Sequence, residues 1–212
     1  FINELFENKV TLITTSNTHP DNLYKDGLHR SRFIPAIESI KENCDIFELD
    51  SAQDYRLRTL EQLEIFVIES EGKSTEKLES NFSELTNNEY EENKNIQILG
   101  RKIKTIKLSK GSVWISFKEI CEGPRSAKDY IEVCSEFHTV FVSGVPIMNE
   151  NNSDAARRFI ALVDECYERN VNLILSLEAN LNDIYKGNRL HEPFKRTLSR
   201  LEEMRSREYL SR

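Results

Sequence analysis

The sequence has 212 residues, 38% of them hydrophobic and 31% charged, with a formal net charge of −7. That is one large domain or two small ones with a charged surface, and the charge disfavours a generally basic nucleic-acid binder. Its longest apolar runs are about five or six residues, against the ~20 needed to span a bilayer as a helix.

Taken in chain order, residues 2–8 have the pattern of a helix end. Val10–Ser16 follows as a short apolar, β-branched run, the mark of a buried parallel strand. It stops at Asn17, and His19-Pro20-Asp21 is turn chemistry leading into a short helix over 20–26 with Pro in its first turn. A longer helix is expected over 32–42, with Phe33, Ile37 and Ile40 on one face. Cys44–Leu49, Asp54–Arg58 and Leu63–Ile68 read as extended. Residues 69–93 hold eight Glu and two Lys and read as a solvated insert around a polar helix at 74–86. Residues 94–112 invert that charge, with six Lys/Arg and no acid, and alternate as antiparallel strands continued by Val113–Phe117. A helix over 126–136, a buried strand Thr139–Ser143, a helix Ser153–Tyr167, a buried strand Val171–Leu175 and a charged helix over 193–209 complete the chain. The fold class is α/β, read as residues 1–43, a β-rich part at 44–117 carrying the acidic insert, and a second α/β unit at 118–212.

An internal echo accompanies this plan. With a shift of 161, Glu4, Glu7, Val10, Leu12, Ile13, Tyr24, Lys25 and Phe33 fall on Glu165, Glu168, Val171, Leu173, Ile174, Tyr185, Lys186 and Phe194. The shared order is helix, buried strand, short helix, amphipathic helix.

Four cysteines (44, 121, 134 and 166) at wide spacing, each in an apolar setting, read as buried free thiols of a reducing, cytoplasmic interior. The four histidines lack any metal-ligand spacing, so no metal site starts from them. Seven glycines, no two closer than eleven residues, leave no G-x-x-x-x-G-K-[ST] loop in the chain. Gly72-Lys73-Ser74 follows a strand, but Val67 stands where the first glycine would be and Glu69 and Glu71 would repel phosphate. Polar residues at a strand's carboxyl end are better placed for ligands in parallel sheets, which draws notice to Asn17. Arg30 and Arg32 precede a helix, where cations oppose the dipole; arginine there suits charge stabilisation in phosphoryl transfer. Arg125 stands at another helix start. No nucleophile–base pair is apparent, and Ser143-Gly144 lacks the nucleophile elbow.

The string Val10-Thr-Leu-Ile-Thr-Thr-Ser-Asn17 with His19-Pro-Asp-Asn-Leu-Tyr-Lys-Asp-Gly-Leu-His-Arg30-Ser-Arg32-Phe-Ile-Pro-Ala-Ile37 resembles the ZapE family of AAA+ ATPases, bacterial cell-division ATPases with mitochondrial relatives. Asp54-Tyr-Arg-Leu-Arg58, Gly123-Pro-Arg-Ser-Ala-Lys-Asp-Tyr130, Phe137–Val140, Gly144-Val-Pro146, Ala155–Asp164 and Thr197–Met204 extend the resemblance to nearly the whole chain outside 69–93. It implies a P-loop-NTPase-like AAA+ fold with a partial parallel sheet and a β-rich insertion, ATP and Mg²⁺ as cofactors, a homo-oligomeric ring, and the division-ring protein FtsZ as partner. Asn17 would be the first sensor, facing the γ-phosphate, and Arg30 or Arg32 the arginine finger; Arg125 is a guess for the second sensor, touching the nucleotide. The start at Phe1, within an amphipathic pattern, reads as a piece of a longer ATPase whose phosphate loop lies upstream, so these residues alone are expected not to hydrolyse ATP. The alternative from another class is a non-catalytic protein-interaction module built on the 94–117 sheet and the charged C-terminal helix.

Overall fold

The computed structural model describes residues 2–16, 18–23, 30, 33–47, 55–69 and 74–211. They fall into two compact units, Phe1–Gln53 and Asp54–Arg212.

In the first unit, helix α1 (Ile2–Glu7) ends on Lys9 at φ 57°. The Val10 amide donates to the Leu5 carbonyl and the Lys9 amide to the Phe6 carbonyl, a Schellman closure that satisfies two carbonyls of the last turn. The expected strand at Val10–Ser16 is corrected here: the segment is irregular, and Ile13 is 92% exposed. A β-branched run becomes a strand only when neighbouring strands take its amides and carbonyls, and no strand occurs among the described residues of this unit. A 3₁₀ turn at Pro20–Asn22 and helix α2 (Ile34–Asn43), with a proline in its first turn and Ile37 buried, agree with the pattern. Beyond α2, residues 45–47 are irregular rather than extended in a sheet, with Phe47 exposed.

The second unit opens with α3 (Tyr55–Gln62), where the sequence reads as extended. Leu57, Leu60 and Leu63 recur at helical spacing and pack into one apolar cluster, which outweighs the local polar–apolar alternation. Then come β1 (Phe66–Ile68), α4 (Ser74–Leu85) and β2 (Glu91–Glu92). A hairpin of β3 (Asn95–Ile98) and β4 (Arg101–Lys104) turns at Leu99 and Gly100, both at positive φ, as a two-residue hairpin turn requires. Strands β5 (Lys107–Ser109) and β6 (Ser112–Ser116) lead through a helical turn at 118–122 to α5 (Ala127–Glu136), β7 (Thr139–Val145), α6 (Ser153–Glu168), β8 (Asn172–Leu177), α7 (His191–Met204) and α8 (Arg207–Leu210).

The main sheet has the order β1-β8-β7-β6-β5-β2. Its first four strands are parallel and the last two antiparallel. Alternate side chains build two cores, as the pleat dictates. Val113, Ile115, Val140, Val142, Leu173 and Leu175 pack with α5, α6 and α7 through residues such as Tyr130, Phe159 and Phe194. Trp114, Phe141 and Ile174 face α3, α4 and α8 through Leu60, Phe82 and Leu210. The mostly parallel α/β sheet expected from the sequence is thus present, with helices on both faces.

Polar contacts brace this frame. Asp129 is buried; it accepts from the Ser126 amide at 2.7 Å and hydroxyl at 2.9 Å, capping α5, and pairs with Arg101 of the hairpin. Between α6 and α7, Asp164 meets Arg196 at 2.6 Å and Arg200 at 2.7 Å. Cys121, Cys134 and Cys166 are buried free thiols and Cys44 is half-buried. Burial raises the pKa of the Cys121 thiol and helps to raise that of Cys166, where a contact with Cys134 is the larger cause, so these thiols are inert. Among the described residues no helix is long and apolar enough to cross a membrane.

Candidate functional site

In the first unit the chemistry gathers around the turn after Asn17. Asn17 and Arg32 lie outside the described residues; Arg30 lies within them. On either side of Asn17, Ser16 and Thr18 close on each other: the Ser16 hydroxyl donates to the Thr18 carbonyl at 2.8 Å and accepts from the Thr18 amide at 3.1 Å. That is a local Ser turn, the alternative a serine offers to a backbone ladder. His19 then opens the 3₁₀ turn, its ring accepting from the Asp21 amide.

Asp21 is the hub of this region. Its carboxylate accepts from Lys41 of α2 at 2.7 Å, and the His19 ring stands 3.4 Å away. Arg30 donates through Nη2 to the Asp21 carbonyl at 2.7 Å. The Lys41 hydrogen bond holds the Asp21 carboxyl below its ordinary value against the opposing effect of burial, with smaller help from the charges of Lys41 and Arg30. Arg30 is thereby anchored to the turn rather than loose on the surface. Sequence reasoning singled out Arg30 but missed the Asp21–Lys41 pair, whose members are twenty residues apart and share no motif.

In the second unit the carboxyl ends of the parallel strands carry a linked set of polar contacts. A register break between Val142 and Val145 accompanies Gly144 at φ 72°. The Gly144 amide donates to the Ser176 hydroxyl at 2.8 Å, and that hydroxyl donates to Glu69 at 3.2 Å. Glu178, directly after β8, accepts from the Ile147 amide at 2.7 Å. Ligands of open α/β sheets lie at this edge, yet here Ser176, Glu69 and Glu178 are engaged with the protein itself. Gly72 and Lys73 are outside the described residues. Arg125 is half-buried before α5 and donates to the Glu119 and Lys102 carbonyls, both at 3.2 Å. It stands in the second unit, and Arg30 in the first.

The second unit is thus a mostly parallel sheet between helical layers, and the first carries an irregular β-branched run before Asn17 and an arginine held at a turn. The AFG1-like ATPase family, of the P-loop NTPase type, matches the chain over residues 1–212, and the chain belongs to that family. It is 42% identical over 208 residues to the cell division protein ZapE of Escherichia coli K12, covering 98% of this chain and 56% of that protein. It is also 34% identical over 182 residues to lactation elevated protein 1 homolog B of Danio rerio, covering 84% of this chain and 36% of that one. An uncharacterised protein of Schizosaccharomyces pombe is 31% identical over 178 residues, with 83% and 39% covered. The chain thus spans just over half the length of the ZapE relatives. No solved structure matches it.

The family implies ATP and usually magnesium. Among the described residues no three His, Cys, Asp or Glu side chains converge to hold a metal ion, and the glycine spacing provides no phosphate loop.

Proposed function

We propose that this chain is the C-terminal portion of a ZapE-like AAA+ ATPase of the cytoplasm, which couples ATP binding and hydrolysis to remodelling of the division ring through FtsZ. The observation that carries the reading is the 42% identity to ZapE over 98% of the chain, since it includes the segment from Val10 to Ile37. In this proposal residues 1–43 complete an ATPase core whose phosphate loop and acidic magnesium-binding strand precede them, and the chain alone does not turn over ATP. Asn17, directly after the Val10–Ser16 run, orients water or touches the γ-phosphate. Arg30 or Arg32 reaches a neighbouring subunit of a homo-oligomeric ring and stabilises charge in phosphoryl transfer. The hold of the Asp21 carbonyl on Arg30 supports a preset guanidinium, because a positioned charge needs less reorganisation at the moment of reaction.

A second reading assigns residues 54–212 to partner binding rather than catalysis. It is favoured by the carboxyl edge of the sheet, where Ser176, Glu69 and Glu178 are engaged with the protein's own groups. The two readings join in one protein: catalysis in the first unit, docking in the second.

Subunit mixing tests the arginine assignment. In a protein of the relatives' full length, Arg30→Ala and Arg32→Ala are each assayed for ATP turnover alone and mixed with a phosphate-loop variant. The finger variant should lose on the order of 10³-fold alone and regain turnover in the mixture. Full turnover in both variants would remove the arginine assignment.

A further inference from the structure

The hairpin of β3 and β4 has two unlike faces. Ile96, Ile98 and Ile103 are buried in the core beneath it, while Asn95, Gln97, Lys102 and Lys104 are exposed on the other side. The cross-strand pairs Asn95–Lys104 and Gln97–Lys102 set the two amides beside the two lysines. Lys94 is answered by Glu91 at 2.7 Å and Arg101 by Asp129, but Lys102 and Lys104 have no carboxylate within ion-pair distance among the described residues. Residues 94–112 hold no acid, so the exposed face of the hairpin carries positive charge only.

The two edges of the hairpin differ as well. In an antiparallel pair alternate residues exchange bonds with the partner strand and the others aim their main-chain groups outward. The Thr105 amide donates to the Lys94 carbonyl at 2.9 Å, which sets Lys94, Ile96 and Ile98 toward β4 and Asn95 and Gln97 away from it. On β4 the outward Lys102 carbonyl accepts from Arg125 at 3.2 Å, so that edge is taken up by the protein itself. On β3 the main-chain amides and carbonyls of Asn95 and Gln97 have no partner among the described residues. An open strand edge is a template for another strand.

We propose that the β3 edge captures an extended acidic peptide of a partner protein as an added antiparallel strand. Its main chain pairs with Asn95 and Gln97, and its acidic side chains share the solvent face with Lys102 and Lys104. Its alternate apolar side chains extend the layer of Ile96 and Ile98. Nucleic acid is disfavoured, because the exposed face has no aromatic side chain on which a base could stack. The proposal rests on the docking reading of residues 54–212 and gives that reading a partner chemistry.

A fluorescein-labelled octapeptide of alternating glutamate and valine is titrated into the 212-residue chain and followed by anisotropy. Beside it run a lysine–valine octapeptide, the glutamate–valine peptide N-methylated at every glutamate, and a short DNA duplex. The acidic peptide should bind saturably, and the lysine peptide and the duplex at least about tenfold more weakly. N-methylation keeps the charge and removes the donors that face β3, so it should weaken binding about tenfold. The double variant Lys102→Gln, Lys104→Gln, at two exposed positions, should weaken it about fivefold with an unchanged melting profile. Failure of the docking reading itself would show elsewhere, as lost ATP turnover in Glu178→Gln, which lies outside the hairpin. No saturable binding of the acidic peptide, equal binding of its N-methylated form, tighter binding of the duplex, or unaltered affinity in the double variant would each overturn the proposal.

Discussion

Ile13 and Ile174 stand at the same place in two copies of one local plan, yet the first is 92% exposed and the second 0%. The copies, residues 2–43 and 163–204, agree in detail away from that strand. Each begins with a helix closed by a left-handed residue, Lys9 at φ 57° and Asn170 at 55°. Each closes its last turn with the same bond, from Val10 to Leu5 and from Val171 to Cys166, both at 2.9 Å. Each has a three-residue 3₁₀ turn at the same offset, Pro20–Asn22 and Leu181–Asp183, and a helix ending at Asn43 or Met204. What differs is company. Val171 and the residues after it enter a sheet in which β8 lies between β1 and β7, while Val10–Ser16 has no paired neighbour among the described residues. Local sequence therefore sets the helix stop, the turn and the following helix. Whether the β-branched run becomes a strand is set by what lies beside it.

Paired truncations turn this contrast into numbers. Ile174→Ala removes a fully buried side chain and should cost the 212-residue chain about 2–4 kcal/mol in urea unfolding. Ile13→Ala should change stability by less than ~0.5 kcal/mol, as exposed positions do. Equal costs at the two sites would mean that Val10–Ser16 is packed as a strand and would break the comparison. A smaller effect sharpens it. Lys9→Gly and Asn170→Gly each relieve a left-handed residue at a helix end, so both should stabilise by about 0.5–1 kcal/mol, Lys9→Gly by more, because asparagine tolerates that conformation better. Destabilisation by either would show that the two ends are not the same device.

Much of the second unit was legible because its signals are local. Thr139–Val145 and Asn172–Leu177 are short apolar runs bounded by turns, and both are central strands. Ser153–Glu168 carries a helical stripe whose Phe159, Leu162, Val163 and Cys166 are buried. The errors arose where pattern and context disagree. Asp54–Arg58 alternates polar and apolar residues like a strand, but the leucines at 57, 60 and 63 carry α3 into the core. The helix expected over 193–209 breaks at Arg205, with Ser206 capping the Tyr209 amide of α8. The basic run at 94–112 looked uniform, yet Arg101 is tied to buried Asp129 and Lys107 is buried against Glu79. Asp21–Lys41 and Lys107–Glu79 join residues twenty and twenty-eight apart. No spacing rule reaches such pairs, because the fold alone brings them together. The 161-residue echo was visible in identities, and its shared helix stop and 3₁₀ turn give those identities a physical content.

Under the proposed function, catalysis lies with the first copy, while the edge of the second is occupied by its own contacts. Asn17 and Glu178 are equivalent under the 161-residue shift, and Glu178 is held by the Ile147 amide. ATP turnover of a protein of the relatives' full length, measured for Asn17→Ala and Glu178→Gln side by side, is the direct test. The account predicts a loss on the order of 10²-fold for Asn17→Ala, the scale of removing one preorganised polar group at a reacting phosphate, and a change below about twofold for Glu178→Gln. Full turnover in Asn17→Ala, or a loss confined to Glu178→Gln, would contradict it.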